Sequence, residues 1–115
     1  MYPFEWIEPL VAEFNLAVCL DTGHLWRQTV DPHSVFLRHR ERVTIIHLHA
    51  ETGGRDHRPL DRLTPERISA TLDLLAGFSG TVSLEVFSFD ALERSLAALE
   101  KVWQNRKPTA RGDAP

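Results

Sequence analysis

The residues in this sequence whose types do chemistry are Asp21, His24, His47, His49, Asp56, His57 and Glu85. Carboxylates and neutral imidazoles together are ordinary ligands for one divalent ion, with zinc, manganese and iron the metals this mixture suits. The same side chains move protons near neutral pH. Each has a plainer reading when taken alone. Asp21 and Gly23 could merely make a turn, and His47 could be a hydrogen-bonded core histidine. Asp56 and His57 could belong to a solvated loop. Glu85 is harder to dismiss, because an unpaired carboxylate inside an apolar strand is costly. Position gives the set its weight: Asp21, His47 and Glu85 all stand toward the C-terminal ends of short apolar runs.

Those runs are Leu16 to Asp21, Val43 to His49 and Thr81 to Phe87. Their length and their Val, Ile and Leu content predict strands. Side chains on a strand alternate between two faces. Asp21 then shares a face with Ala17 and Cys19, His47 with Val43, Ile45 and His49, and Glu85 with Thr81, Ser83 and Phe87. The opposite faces, with Leu16, Val18, Leu20, Ile46, Leu48, Val82, Leu84 and Val86, are uniformly aliphatic. The expectation is that Asp21, His47 and Glu85 point to one side at one end of a sheet, with His24 in reach. His49 stays open between a rim ligand, a substrate contact and a partner to a ligand. Asp56 and His57 could supply further ligands or a catalytic acid.

Helices must separate these strands. Phe4, Ile7, Leu10, Val11 and Phe14 mark one helical face, with Pro9 expected in the first turn and Asn15 as a left-handed cap. Asp31-Pro32 and Thr64-Pro65 each place a capping side chain before a first-turn proline. The helices they open are expected to reach about Arg42 and Phe78. The second should bury Ile68, Leu72, Leu75 and Phe78. Leu25 to Val30 reads as a loop or short helical turn, and Ala50 to Leu63 as a long polar loop. Asp90 and Glu93 read as a capping box for a last helix to about Asn105, burying Leu92, Leu96, Leu99, Val102 and Trp103. Residues 106–115 lack periodicity and read as a disordered tail. Alternating helices and strands imply an α/β fold with a parallel sheet.

Composition excludes little else. The chain has 115 residues, 43% hydrophobic and 25% charged, enough for one domain. The formal net charge of −3 gives no basic field for nucleic acid. No apolar run approaches the ~20 residues that span a bilayer, so no membrane partner and a cytoplasmic location are expected. The one cysteine, Cys19, is expected in the core. His33 and His39 are expected on a helix surface, away from the strand ends.

Asp21-Thr22-Gly23-His24, His47-Leu48-His49, Asp56-His57-Arg58-Pro59-Leu60 and Ser83-Leu84-Glu85 follow one another in the order of one superfamily. The chain resembles the C-terminal half of xylose-isomerase-like TIM barrels, which include sugar phosphate isomerases/epimerases and endonuclease-IV-type apurinic endonucleases. Within it, the likeness is greatest to cobamide-remodelling phosphodiesterases. It runs through Tyr2-Pro3-Phe4-Glu5-Trp6, Cys19 to Leu25, Ile46 to His49 and Leu84 to Ser88, over residues 1–105. A full barrel takes ~250 residues, so three strands with covering helices correspond to part of a (β/α)8 barrel. The strand that ends in a further metal-binding Glu in such barrels would precede Phe4.

The resemblance implies that Asp21, His24, His47 and Glu85 bind a divalent metal, zinc or manganese, with His57 a further ligand. Asp56 beside it departs from the spacing of the endonuclease branch. Glu85, His49, Asp56 and His57 are then the candidates for contacting substrate or moving protons. The implied reaction is hydrolysis of the nucleotide-loop phosphoester of a cobamide. The alternatives are a sugar phosphate isomerase/epimerase with Glu85 as base, and a truncated, non-catalytic chain. The acidic balance argues against the endonuclease. The expected partners are a small molecule, cobamide or sugar phosphate, and either a second copy of the chain or a missing N-terminal half.

Overall fold

The computed structural model describes residues 3–112, with side chains described for residues 3–106. The first helix, α1, spans Phe4–Glu13. Its last turn closes as the sequence leads one to expect. Asn15 takes φ 52°, and the Leu16 and Asn15 amides donate to the carbonyls of Val11 and Ala12. This is a Schellman cap. Pro9 lies inside the helix rather than in its first turn. The interior proline is held by anchors on both sides: Val11 is buried, and the Phe4 amide donates to Gln28 Oε1 at 2.9 Å.

Strand β1 (Val18–Asp21) follows and runs straight into helix α2 (Thr22–Arg27). Helix α3 (Pro32–His39) opens on Asp31, whose side chain accepts from the His33 amide, and a 3-10 turn over Arg40–Arg42 completes it. Strand β2 is Val43–Leu48. The long polar loop is instead a hairpin of β3 (Ala50–Thr52) and β4 (Arg55–Arg58) followed by a 3-10 turn, Leu60–Arg62. Gly53 and Gly54 at its tip have φ 59° and 78°. Two consecutive positive φ angles match the right-handed twist of a tight hairpin, and glycine adopts them without strain. Thr64 caps α4 (Pro65–Ala76), β5 is Thr81–Leu84, and α5 is Phe89–Gly112.

The β1, β2 and β5 strands form one parallel sheet in the order β1-β2-β5. Helices cover one face only. There Val18, Leu20, Ile46 and Leu48 pack with Leu25, Val35, Phe36, Ile68 and Leu74 into the core. The alternation predicted this face. The opposite face is open: Cys19 is exposed and Ile45 is 37% exposed. Cys19, exposed on that face, is therefore not a core residue. Val43 is the exception on its face and is buried at the strand's start.

Several apolar residues expected in the core are exposed. Ile7, Leu10 and Phe14 of α1 face outward beside Trp6 and Leu16, near the β1 edge. Leu96 and Trp103 of α5 do the same. The stripe α5 turns inward is Leu92, Ser95, Leu99 and Val102, and Ser95 Oγ accepts from the buried Leu60 amide at 3.0 Å. In α4 the fully buried side chains are Ile68, Thr71 and Leu74, with Leu72, Leu75 and Phe78 partly buried. Ser88, not Asp90, caps α5: its Oγ accepts from the Ala91 amide at 3.0 Å. The helix passes Asn105 to Gly112. Residues 1–2 and 113–115 lie outside the described residues.

Candidate metal centre

The parallel register places Asp21 beside His47, and His47 beside Ser83. Glu85 lies just beyond β5, where its amide continues the ladder by donating to the Leu48 carbonyl at 2.9 Å. Asp21, His47 and Glu85 thus meet at the C-terminal end of the sheet, with side chains 18%, 30% and 31% exposed. Parallel α/β sheets keep their chemistry at that end.

Asp21 does more than end a strand. It is the N-cap of α2, and its Oδ1 accepts from the His24 amide at 2.9 Å. That cap sets His24 one turn along, with Nδ1 3.1 Å from Asp21 Oδ2. The other ring nitrogen, Nε2, lies 3.1 Å from Asp56 Oδ2, on which Arg27 also converges at 3.4 Å. His47 Nδ1 lies 3.9 Å from Asp21 Oδ2 and 3.1 Å from Glu85 Oε1. Burial pushes the Asp21 carboxyl up, but His49, the His24 amide and the charge of both rings hold it below its usual value. Slight burial raises Asp56, and the neighbouring His57 and His24 bring it below the ordinary carboxylate value.

The hairpin brings in the rest. His57 takes φ 58°, uncommon for a residue with a side chain. Its ring stacks on His49 with centroids 4.4 Å apart and lies 4.8 Å from Phe87. Its Nδ1 is 3.3 Å from the Glu85 carbonyl, and Nε2 is 3.9 Å from Asp56 Oδ1. His49 is completely buried. Burial lowers its pKa, while the Asp21 carboxylate more than reverses this and leaves it above the usual histidine value.

Two groupings of ligand atoms result. His24, His49 and His57 each bring one ring nitrogen within 4.8 Å of the others, and this cluster could bind a metal ion. The second is the series Glu85 Oε1, His47 Nδ1, Asp21 Oδ2, His24 Nδ1, whose consecutive members are 3.1, 3.9 and 3.1 Å apart. Zinc holds such ligands at about 2.0–2.2 Å, which puts neighbouring ligand atoms roughly 3.4 Å apart in a tetrahedron. Only consecutive members of the series are that close, whereas the ligand atoms of the three histidines all lie within 4.8 Å of one another.

Sequence reasoning missed two contributors. Thr22 is fully buried, and its hydroxyl donates to the carbonyls of His47 at 3.3 Å and His49 at 3.5 Å, tying α2 to the end of β2. Gly23 is packed so closely on His49 that a Cβ there would overlap the imidazole ring. The signal for Thr22 was its place directly after an N-cap acid. His39, expected on the surface, is only 12% exposed, because Glu8 Oε2 lies 2.6 Å from its Nε2 and Phe4 packs edge-on against its ring. His33 lies apart, in a cleft between the starts of α3 and α4 with Trp26, Glu66 and Arg67. Among the described residues no helix is long and apolar enough to cross a membrane. No family model, curated protein or solved structure matches the chain.

Proposed function

We propose that the chain carries the metal site of a hydrolase acting on a phosphodiester, with Asp21, His24, His47 and Glu85 as ligands of zinc or manganese. The observation that carries this is the meeting of Asp21, His47 and Glu85 at the C-terminal end of three parallel strands, with His24 against Asp21. The three-histidine grouping, whose ligand atoms all lie within 4.8 Å of one another, is the second reading; it requires His49 to give up its contact with Asp21 or with the His57 amide. Asp56 supports the choice. It sits against the far nitrogen of His24, as carboxylates behind metal-bound histidines do.

A divalent ion held there supplies Lewis-acid polarisation of a phosphoryl oxygen. The chain's own residues do the rest. Asp21 and Glu85 bring negative charge, which favours a cation over a bare substrate anion. Asp56 fixes the His24 ring. The Nδ1 of His57 faces the Glu85 carbonyl, so its Nε2 is the nitrogen free to take or give a proton near Asp56. The uncovered sheet face beside them leaves room for a bulky substrate.

The sheet is read with this as an arc of a (β/α)8 barrel, with its open face on the barrel interior. The resemblance set out above makes the nucleotide loop of a cobamide the substrate. The test is direct. Protein loaded with zinc or manganese is incubated with a cobamide, and the products are separated by chromatography. Release of α-ribazole or a related nucleoside is the expected result. An intact cobamide alongside an epimerised sugar phosphate would transfer the site to the isomerase reading, in which the half-exposed Glu85 is the base. Turnover of neither by the metal-loaded protein would overturn both.

A further inference from the structure

His49 is fully buried, and both of its ring nitrogens face partners. Nδ1 lies 2.8 Å from the backbone nitrogen of His57 and 3.4 Å from the Ala50 carbonyl, the longer of the two contacts. A backbone N–H can only donate, so Nδ1 accepts, and the neutral ring carries its proton on Nε2. That proton points at Asp21 Oδ1, 2.6 Å away. Asp21 Oδ1 also accepts the His24 amide. Its other oxygen, Oδ2, is therefore the one turned toward the His24 and His47 rings.

We propose that His49 is a positioning residue in a single fixed tautomer, which aims the Asp21 carboxylate at the metal and holds His57 in its positive-φ conformation. This rests on the metal reading above. Two further features agree with it. Gly23 leaves no room for a Cβ beside the imidazole, so α2 is closed down on the ring. The His57 ring stacks parallel to it, at an interplanar angle of 20°. The sequence parity of β2 placed His49 beside His47 as a possible ligand or substrate contact. The chain leaves the strand at Leu48, and His49 turns beneath the site instead.

The tautomer is readable without turnover, from long-range proton–nitrogen correlation spectra of the imidazoles, recorded above the pH at which His49 titrates. The expected spectrum has His49 protonated on Nε2 and bare on Nδ1. Adding zinc is expected to shift ring nitrogens of His24 and His47 and to leave His49 in the same tautomer without a metal-bound shift. A proton on Nδ1, or a metal-bound shift at His49, would overturn the proposal. If zinc moved no histidine, the metal reading would fall, while the tautomer would still decide the hydrogen-bond lock on its own.

Two substitutions separate the two bonds. In His49→Gln the side-chain amide reaches as far as Nε2 and keeps a donor for Asp21. In His49→Asn the shorter amide keeps an acceptor for the His57 amide and loses the donor. His49→Asn is expected to lose zinc affinity by about 10–100-fold, with hydrogen exchange at the His57 amide still slow. His49→Gln is expected to keep the affinity and lose the protection. The opposite pattern, or equal loss in both, would refute the division of labour.

Discussion

Asp21 Oδ1 sits 2.6 Å from Nε2 of the fully buried His49 ring. The same oxygen caps α2 through the His24 amide. One atom thus ties a strand end, a helix start and the buried histidine together. Replacing Asp21 with Ala strands two donors. Leaving a buried donor unpaired costs about 1–3 kcal/mol, so a urea titration of Asp21→Ala should show a loss of at least that size. An unchanged midpoint would mean that water replaces both bonds freely.

His47→Ala and Glu85→Ala should each lower the zinc or manganese retained after dialysis, measured by elemental analysis. His39→Ala should not, because its ring is engaged with Glu8 of α1 and lies away from the strand ends. Equal metal content in all three variants would remove both residues from the ligand set.

Thr29 closes α2 in a Schellman cap. Its amide donates to the Trp26 carbonyl and the Val30 amide to that of Leu25, each at 2.9 Å. It does so at φ 57°, which a β-branched residue adopts only with strain. Thr29→Gly should raise stability by about 1 kcal/mol, seen as a higher melting temperature. A fall would mean that the threonine hydroxyl, 2.6 Å from the Gln28 carbonyl, outweighs the strain.

Gly23→Ala should be costly for a reason unrelated to backbone angle. The new methyl group would overlap the His49 ring, and overpacking of this kind costs about 1–3 kcal/mol. Gly54→Ala makes a useful contrast, since nothing lies within 4 Å of that Cβ and only the positive φ opposes it.

Glu8 joins α1 to α3 through Arg38 Nε at 2.8 Å and His39 Nε2 at 2.6 Å. The Arg38 hydrogen bond holds its carboxyl below the usual value of 4.5, with slight burial opposing and His39 adding to the effect. A carboxyl lowered in the native state contributes stability that is complete above the unfolded pKa. That contribution is lost as pH falls through the native pKa. Glu8→Gln should therefore be less stable than the parent near neutral pH, by up to about 1 kcal/mol, since the partners are partly exposed. The difference should shrink as pH falls below 4.5. A gap that widened in acid would contradict the assignment.

Much of the scaffold is legible because its signals are local. Asp31-Pro32 and Thr64-Pro65 open the helices they were expected to open, and the aliphatic parity of β1 and β2 identifies the covered face. The hairpin was illegible for a physical reason. Gly53-Gly54 is a turn signal, but Glu51, Thr52, Arg55 and Asp56 give no apolar alternation around it. Cys19 shows another limit: parity placed it on the correct face, yet burial depends on whether anything covers that face. His49 shows a third, since parity stops governing direction where β2 ends. The pairing of His39 with Glu8 joins residues 31 apart, which no helical periodicity reports.

Most of the contacts that join the parts of the candidate site are distant along the chain. His49 to Asp21 and His57 to the Glu85 carbonyl each span 28 residues, and His24 to Asp56 spans 32. Closing such loops costs chain entropy that only the completed sheet returns. Only Asp21 and His24 meet within a single strand–helix unit. An ion that needs them meets them late, after β2 has found both of its neighbours. Its capture would then time the end of folding rather than seed the beginning.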